Sequence, residues 1–273
     1  VKIRLIRLAL VCALASAAAF ADDEHSTAPC AGLPTQAQLK TALAAAAGAE
    51  TSGLNMNMWG VIVDRDGVVC AVAFSGNNRG AQWPGSRVIA AQKANTANAF
   101  SLDSSAVSGG NGQALALSTA NLFSAVQPGG SLYGLQASNP VDPSVAYRGP
   151  STNYGMPNDP MVGRKIGGVN VFGGGLALYN RSHQIVGAVG VSGDTSCADH
   201  NIAWRTRHNL NLDFLAGAIP GPASLFAGDT THPDNIIFDI TPNPSGGTGN
   251  STSGFGHPKC FLSVDPHSLP AVQ

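Results

Sequence analysis

The spacing of apolar residues along the chain changes period several times, and each change predicts an element. Thr35-Gln36-Ala37-Gln38 has the form of a capping box, after which Leu39, Leu43 and Ala46 recur on one helical face until a stop near Gly53. Two β-branched runs follow, Met58 to Val63 and Val68 to Phe74, joined through Asp64-Arg65-Asp66-Gly67 as in a hairpin. A Gly- and Asn-rich loop from Ser75 to Gly85 leads to Ser86, placed to cap a helix running to Phe100, and a further helix is expected from Gln113 to Val126. Periodicity then lapses. From Pro128 to Lys165 the chain carries Gly, Pro, Asn, Ser and Tyr without apolar rhythm, which predicts a long ordered loop. Three more strands are expected at Gly167 to Phe172, Gly174 to Tyr179 and Gln184 to Val191, the last two joined by Asn180-Arg181-Ser182-His183. Ser196 and Asp199 read as a capping-box variant opening a helix through Trp204 to about Phe214. Beyond Pro220 only Asn235 to Ile240 looks strand-like.

These elements predict an α+β fold: a five-stranded antiparallel sheet with helices packed on it, the loop 128–165, and an irregular C-terminal extension over 217–273. The βαβ alternation of a doubly wound sheet is missing. Charged residues make up 11% of the chain and hydrophobic ones 44%, enough apolar surface for a real core. A net charge of −1 removes the basic footprint that nucleic-acid binding needs.

The chain's beginning predicts export. Lys2, Arg4 and Arg7 precede an apolar run from Leu8 to Phe20, and Ala19-Phe20-Ala21 has the small-x-small form of a cleavage site, so residues 1–21 read as a signal peptide. That run is shorter than the roughly 20 residues a bilayer requires, and no second run of that length occurs, so no membrane span is expected after cleavage. Destination is the periplasm or the exterior. Cys30, Cys70, Cys197 and Cys260, an even number spaced far apart, fit disulfides in an oxidising compartment.

Two motifs, in order, resemble one family. Ala90-Ala91-Gln92-Lys93-Ala94-Asn95-Thr96-Ala97 is similar to a helical KAxTA signature, and Gly167-Gly168-Val169 with Val186-Gly187-Ala188-Val189-Gly190-Val191-Ser192-Gly193 is similar to a GGxP…GxxGVSG signature, of the GlcG/HbpS-like haem-binding family. The resemblance covers roughly Leu33 to Leu215. It implies a profilin-like layered fold for residues 22–216, haem binding outside the cytoplasm, sometimes iron binding, and homo-oligomers. Asn170 stands where the family commonly has Pro, and His200 where it commonly has Glu.

Candidate chemistry falls on a few residues. Lys93 and Thr96, one helical turn apart, can present an ammonium and a hydroxyl to a haem propionate or a small anion, or Lys93 can simply pair with a core carboxylate. Ser101, Ser104 and Ser105 follow in the segment that borders the ligand site in the resembling proteins. Gly167 and Gly168 join the candidates on the strength of the motif. Gly187, Gly190 and Gly193 lack the spacing of a phosphate loop and read better as strand glycines beneath a closely packed element. Asp194, Asp199 and His200 gather at the start of the last helix. Asp199 has a capping role available, and His200 is the best single candidate for an iron or haem ligand. His208 reads as a helix-surface residue. His232, His257 and His267 lie in the tail without close metal-ligand spacing. Neither a G-x-S-x-G elbow nor an H-E-x-x-H is present.

The disulfide pairing follows from the expected topology. The first helix runs antiparallel to the first strand, which brings Cys30 near the hairpin turn that Cys70 just follows. Cys197 opens the final helix at the other end of the sheet, within reach of a returning tail that carries Cys260. Cys30–Cys70 and Cys197–Cys260 are therefore expected, against the rival in which Cys30 meets Cys260. Together these readings predict an exported protein that binds haem or a similar small molecule, in a groove between protomers, without catalysis. The alternative is an interaction module that uses the same fold for oligomerisation and partner docking, and an enzyme using Asp199 and His200 is a third class.

Overall fold

The computed structural model describes residues 28–103, 115–215, 231–265 and 268–273. The expected signal peptide, residues 1–21, and Ser104, Ser105 and His267 lie outside them. Helix α1 spans Gln36–Gly48, followed by strands β1 (Trp59–Asp64) and β2 (Val69–Phe74) and helix α2 (Ser86–Phe100). Short helices α3 (Leu135–Ser138) and α4 (Pro143–Ala146) interrupt the long loop. Strands β3 (Gly175–Tyr179) and β4 (Ile185–Ser192), helix α5 (Ser196–Asn209) and the two-residue strands β5 (Ile240–Thr241) and β6 (Asn250–Ser251) complete the order.

The main sheet has four strands among the described residues, ordered β2-β1-β4-β3 and antiparallel throughout. Every position of β1 and β3 is buried because both sheet faces are covered, which is why these strands read as apolar runs rather than alternating ones. Leu39, Leu43 and Ala46 of α1 and Ile202 and Ala203 of α5 pack on one face with Ile62, Leu176, Leu178, Val189 and Val191. Ala90, Ala91, Ala94 and Ala97 of α2 cover the other with Val61, Val63, Val72 and Ala188. The result is three layers, with α2 the main element on its side and Ala146 of α4, Met161 and Ile166 packed beside it. Gly190 allows this closeness, since a Cβ there would stand 1.9 Å from the Ala90 carbonyl oxygen.

The fifth expected strand, Gly167 to Phe172, is not a strand. Gly167 and Gly168 take φ of 64° and 83°, left-handed values that break an extended run. The segment instead lies on α2, where the Asn170 N–H donates to Thr96 Oγ1 at 3.0 Å and Asn95 Nδ2 donates to the Gly168 carbonyl at 2.8 Å. The helix expected to reach Val126 is replaced by two 3-10 turns, Thr119–Leu122 and Ser124–Val126, the first capped by Ser118 and Asn121. Asn235 to Ile240 contributes only Ile240 to a strand.

Helix ends also correct the sequence reading. Thr35 and Gln38 form the expected capping box. Gly85, not Ser86, precedes α2 and supplies no side-chain cap. At α5 the cap is Thr195, whose Oγ1 accepts from the Ala198 N–H, so Asp199 is released for another partner.

The loop 128–165 is tied to the body by ionic contacts. Arg87, 1% exposed, pairs with Asp159, donates to the Ala146 carbonyl at 2.7 Å and stacks 3.7 Å over Tyr154. Residues 163 to 165 run beside β2, exchanging backbone bonds with Val69 and covering that edge of the sheet. Both predicted disulfides are present, Cys30–Cys70 and Cys197–Cys260, with Cα separations of 5.4 and 5.9 Å. No helix among the described residues is long and apolar enough to cross a membrane.

Candidate ligand-binding site

Lys93 points from the middle of α2 toward the sheet end where β4 turns into α5. Only 1% exposed, it donates from Nζ to Asp199 Oδ2 at 2.6 Å and to the Val191 carbonyl at 3.1 Å. Asp199 Oδ1 accepts from the backbone N–H of Gly193 at 3.0 Å and of Asp194 at 2.8 Å. The carboxylate thus joins α2 to the first turn of α5, where the helix dipole favours its charge. Burial pushes the Asp199 carboxyl up to about 6, against the pull of Lys93, and the same burial lowers the Lys93 ammonium.

This pair forms the floor of a cavity of about 310 Å³. Its walls include Ile89, one turn before Lys93 on α2, with Trp83, Phe172, Ser192 and Ser196. Trp83 and Phe172 are 47% and 45% exposed, so the rim is aromatic and open to solvent. A second cavity of about 540 Å³ lies across the Trp83–Ser86 turn, between Trp59, Arg79, Pro84, Tyr147 and Tyr154.

The sequence candidates separate on this geometry. Lys93 and Asp199 come together. Thr96, one turn along, donates to the Gln92 carbonyl at 2.7 Å and accepts from Asn170, so its hydroxyl positions the 167–172 segment. Gly167 and Gly168 belong to that segment and do not line the cavity. Asp194 lines it but is engaged by the backbone N–H groups of Leu54 and Met56 at 2.8 and 2.9 Å. His200 is fully buried outside the lining; its Nε2–H donates to Asn235 Oδ1 at 3.2 Å, and Nδ1 has no partner among the described residues. Burial lowers this imidazole to about 3, so the ring is neutral. His208 pairs with Asp213 at 2.7 Å on the outer part of α5.

Sequence reasoning did not single out Ile89 or Phe172. Ile89 was accessible through its four-residue spacing from Lys93. Phe172 was not, because reading 167–172 as a strand gave that side chain the wrong neighbours.

An α/β layer protein with a cavity between α2 and the sheet end is thus defined. The family model described as "Haem degrading protein HbpS-like" matches residues 35–207, and the chain belongs to that family. Similar solved structures include the PduOC:heme complex, 23% identical with a TM-score of 0.42, covering 67% of this chain and 94% of that one. Another is the Klebsiella pneumoniae protein ORFY of family DUF336, 25% identical with a TM-score of 0.40, covering 65% and 90%. No curated protein matches.

Proposed function

We propose that this protein binds haem or a similar planar tetrapyrrole in the cavity above the Lys93–Asp199 pair, as an exported binding protein. The observation that carries this reading is a buried ammonium–carboxylate pair beneath apolar walls made by Ile89, Trp83 and Phe172. Apolar walls suit the faces of a tetrapyrrole, and an ammonium suits its carboxylates. The volume, about 310 Å³, lies at the small end of the roughly 300–1,000 Å³ of small-molecule sites and takes part of a ring, leaving the rest against the rim. Haem would supply a redox-active iron. The chain's own residues hold the ring edge and manage charge: a ligand carboxylate against Lys93 displaces Asp199, which takes a proton readily because burial already holds its carboxyl near 6. Iron ligation by His200 requires displacement of the Asn235 segment.

The exposed Trp83 and Phe172 support closure of the cavity by a second copy of the chain, giving a homo-oligomer with the ligand between protomers. Two disulfides support function outside the cytoplasm. Titration with haemin tests the reading. A saturable Soret band is expected, with Lys93→Met and Trp83→Ala each weakening binding about tenfold and Tyr147→Ala, on the neighbouring cavity, leaving it unchanged. The absence of a saturable band, or loss confined to Tyr147→Ala, overturns it. The band position in His200→Ala reports whether that ring reaches the iron, and light scattering with and without haemin reports the assembly.

A further inference from the structure

The Cys197–Cys260 disulfide is surrounded by groups that a structural cross-link does not use. Cys197 is the second residue of α5, and its N–H donates to Cys260 Sγ at 3.2 Å, while Ser196 Oγ lies 3.4 Å from the same sulfur. A ring nitrogen of His257 lies within 4.8 Å of both sulfurs. His257 is 2% exposed. Its Nδ1 stands 2.7 Å from the Pro258 carbonyl and so carries the donated proton, whereas Nε2 has no hydrogen-bond partner among the described residues. A neutral imidazole with one N–H fixed on a carbonyl and its other lone pair free is the state of a metal-ligating histidine. Burial lowers this ring to about 4, which keeps it neutral.

Cys30–Cys70 offers a contrast. The third group beside it is Asp64, whose carboxylate already accepts from the backbone N–H of Cys30, Asp66 and Val68. Among the described residues that disulfide has no histidine beside it.

We propose that the Cys197–Cys260 disulfide is a latent metal site: once opened by a dithiol, Cys197, Cys260 and His257 hold one zinc-class divalent ion, with the fourth position left to water or another ligand. A dithiol thiolate attacks Cys260 Sγ, on the half-buried cysteine, forming a mixed disulfide while the electron pair of the broken S–S bond leaves on Cys197. Cys197, at the start of α5, is placed where the helix dipole stabilises a thiolate. The second thiol of the reductant then forms its cyclic disulfide and releases Cys260, where the Cys197 N–H and Ser196 hydroxyl can donate to the freed sulfur. Two electrons pass from dithiol to protein, and the two thiol protons go to solvent when the ion binds.

Geometry and charge select the ion. Two thiolates and an imidazole suit zinc rather than calcium or magnesium. Tetrahedral coordination with sulfur at about 2.3 Å needs donor separations of roughly 3.7 Å, inside the 4.8 Å that the three groups span. The tail stays in place without the disulfide because Arg207 holds Asp234 at 2.6 and 2.8 Å and Trp204 Nε1 donates to the Pro270 carbonyl at 2.8 Å. The site shares Ser196 with the wall of the proposed haem cavity, but its ligands and its test do not involve haem.

The test uses the whole chain carrying Cys30→Ser and Cys70→Ser, reduced with dithiothreitol and desalted under argon. Titration with Co2+ should give one equivalent of tetrahedral d–d absorption with a thiolate charge-transfer band, displaced by Zn2+; the oxidised protein should show neither. His257→Ala should weaken zinc binding about 100-fold by chelator competition, and the same comparison in the chain with Cys30 and Cys70 intact serves if the double variant does not fold. Equal binding by oxidised protein, equal binding by His257→Ala, absence of the cobalt bands, or loss of far-ultraviolet circular dichroism on reduction overturns the proposal.

Discussion

In the three-layer body, α2 meets the sheet through Ala90, Ala91, Ala94 and Ala97, all fully buried against valines and alanines of the strands. Residues 231–265 reach the same body by other means. Asp234 pairs with Arg207, Asn235 accepts from Asn121 Nδ2 at 2.9 Å and from His200, and Cys260 is bonded to Cys197. The first contact is mainly apolar surface that any suitable side chain can supply; the second adds specific polar partners to the packing of Ile236 on Ala120 and Cys197. A substitution in the body therefore acts through volume, and one at the covering segment acts through an orphaned charge or lone pair.

Acid should separate the two regions most strongly. His257 belongs to the covering segment, and His200 contacts it through Asn235. Burial lowers His200 to about 3 and His257 to about 4, both below the unfolded value near 6.5. Between those values the unfolded chain binds more protons, so stability is full above about pH 6.5 and falls as pH drops toward 4. The loss is on the order of 3 kcal/mol per ring at pH 4. Denaturant midpoints measured from pH 7 to 4 check this; Asp199, held near 6 in the fold against 3.8 unfolded, offsets part of the loss as it takes up its proton, and His257→Gln should flatten the histidine-driven fall. A midpoint indifferent to pH over that range counts against a neutral, sealed seam.

Removing one partner of the Arg207–Asp234 pair comes next. Both side chains are fully buried, and Asp234→Ala leaves the guanidinium uncompensated, with an expected cost of about 3–5 kcal/mol. Limited proteolysis should then cut within 231–265 before it cuts the body. Replacing Gly190 with Ala probes the other region by volume. A Cβ at 1.9 Å from the Ala90 carbonyl forces α2 off the sheet, costing about 1–3 kcal/mol or more. Its protease cuts should appear in α2, not in the tail.

The same division governs what could be read from the sequence. Periodicity located α1, β1, β2, α2, β3, β4 and α5, because apolar rhythm needs no knowledge of a partner. Gly190 was legible as a close approach for the same reason. The Gly167–Phe172 run misled because its apolar content is that of a strand while φ at Gly167 and Gly168 is not. At the site, the pairing of Lys93 with a core carboxylate was legible, but not that the carboxylate is Asp199, 106 residues away. Asn235, Asp234 and His257 carried no local signal at all: each acquires its role from a side chain on α5 or next to it, and no pattern within 231–265 encodes that partner.

The smallest effect tests that lesson at a single helix end. Sequence placed the α5 cap at Ser196 with Asp199 reciprocating, whereas Thr195 Oγ1 accepts from the Ala198 N–H at 3.3 Å and Asp199 serves Lys93. Thr195→Ala should therefore cost about 1 kcal/mol, as a lost N-cap does, while Ser196→Ala should stay within about 0.5 kcal/mol, as a side chain without a cap bond does. Thr35→Ala gives the matched loss at α1, where sequence and structure agree on the capping box. Urea midpoints of the three variants decide between the two assignments. If Ser196→Ala costs as much as Thr35→Ala and Thr195→Ala costs nothing, the capping-box reading of α5 was right, and Asp199 is divided between the cap and the cavity floor.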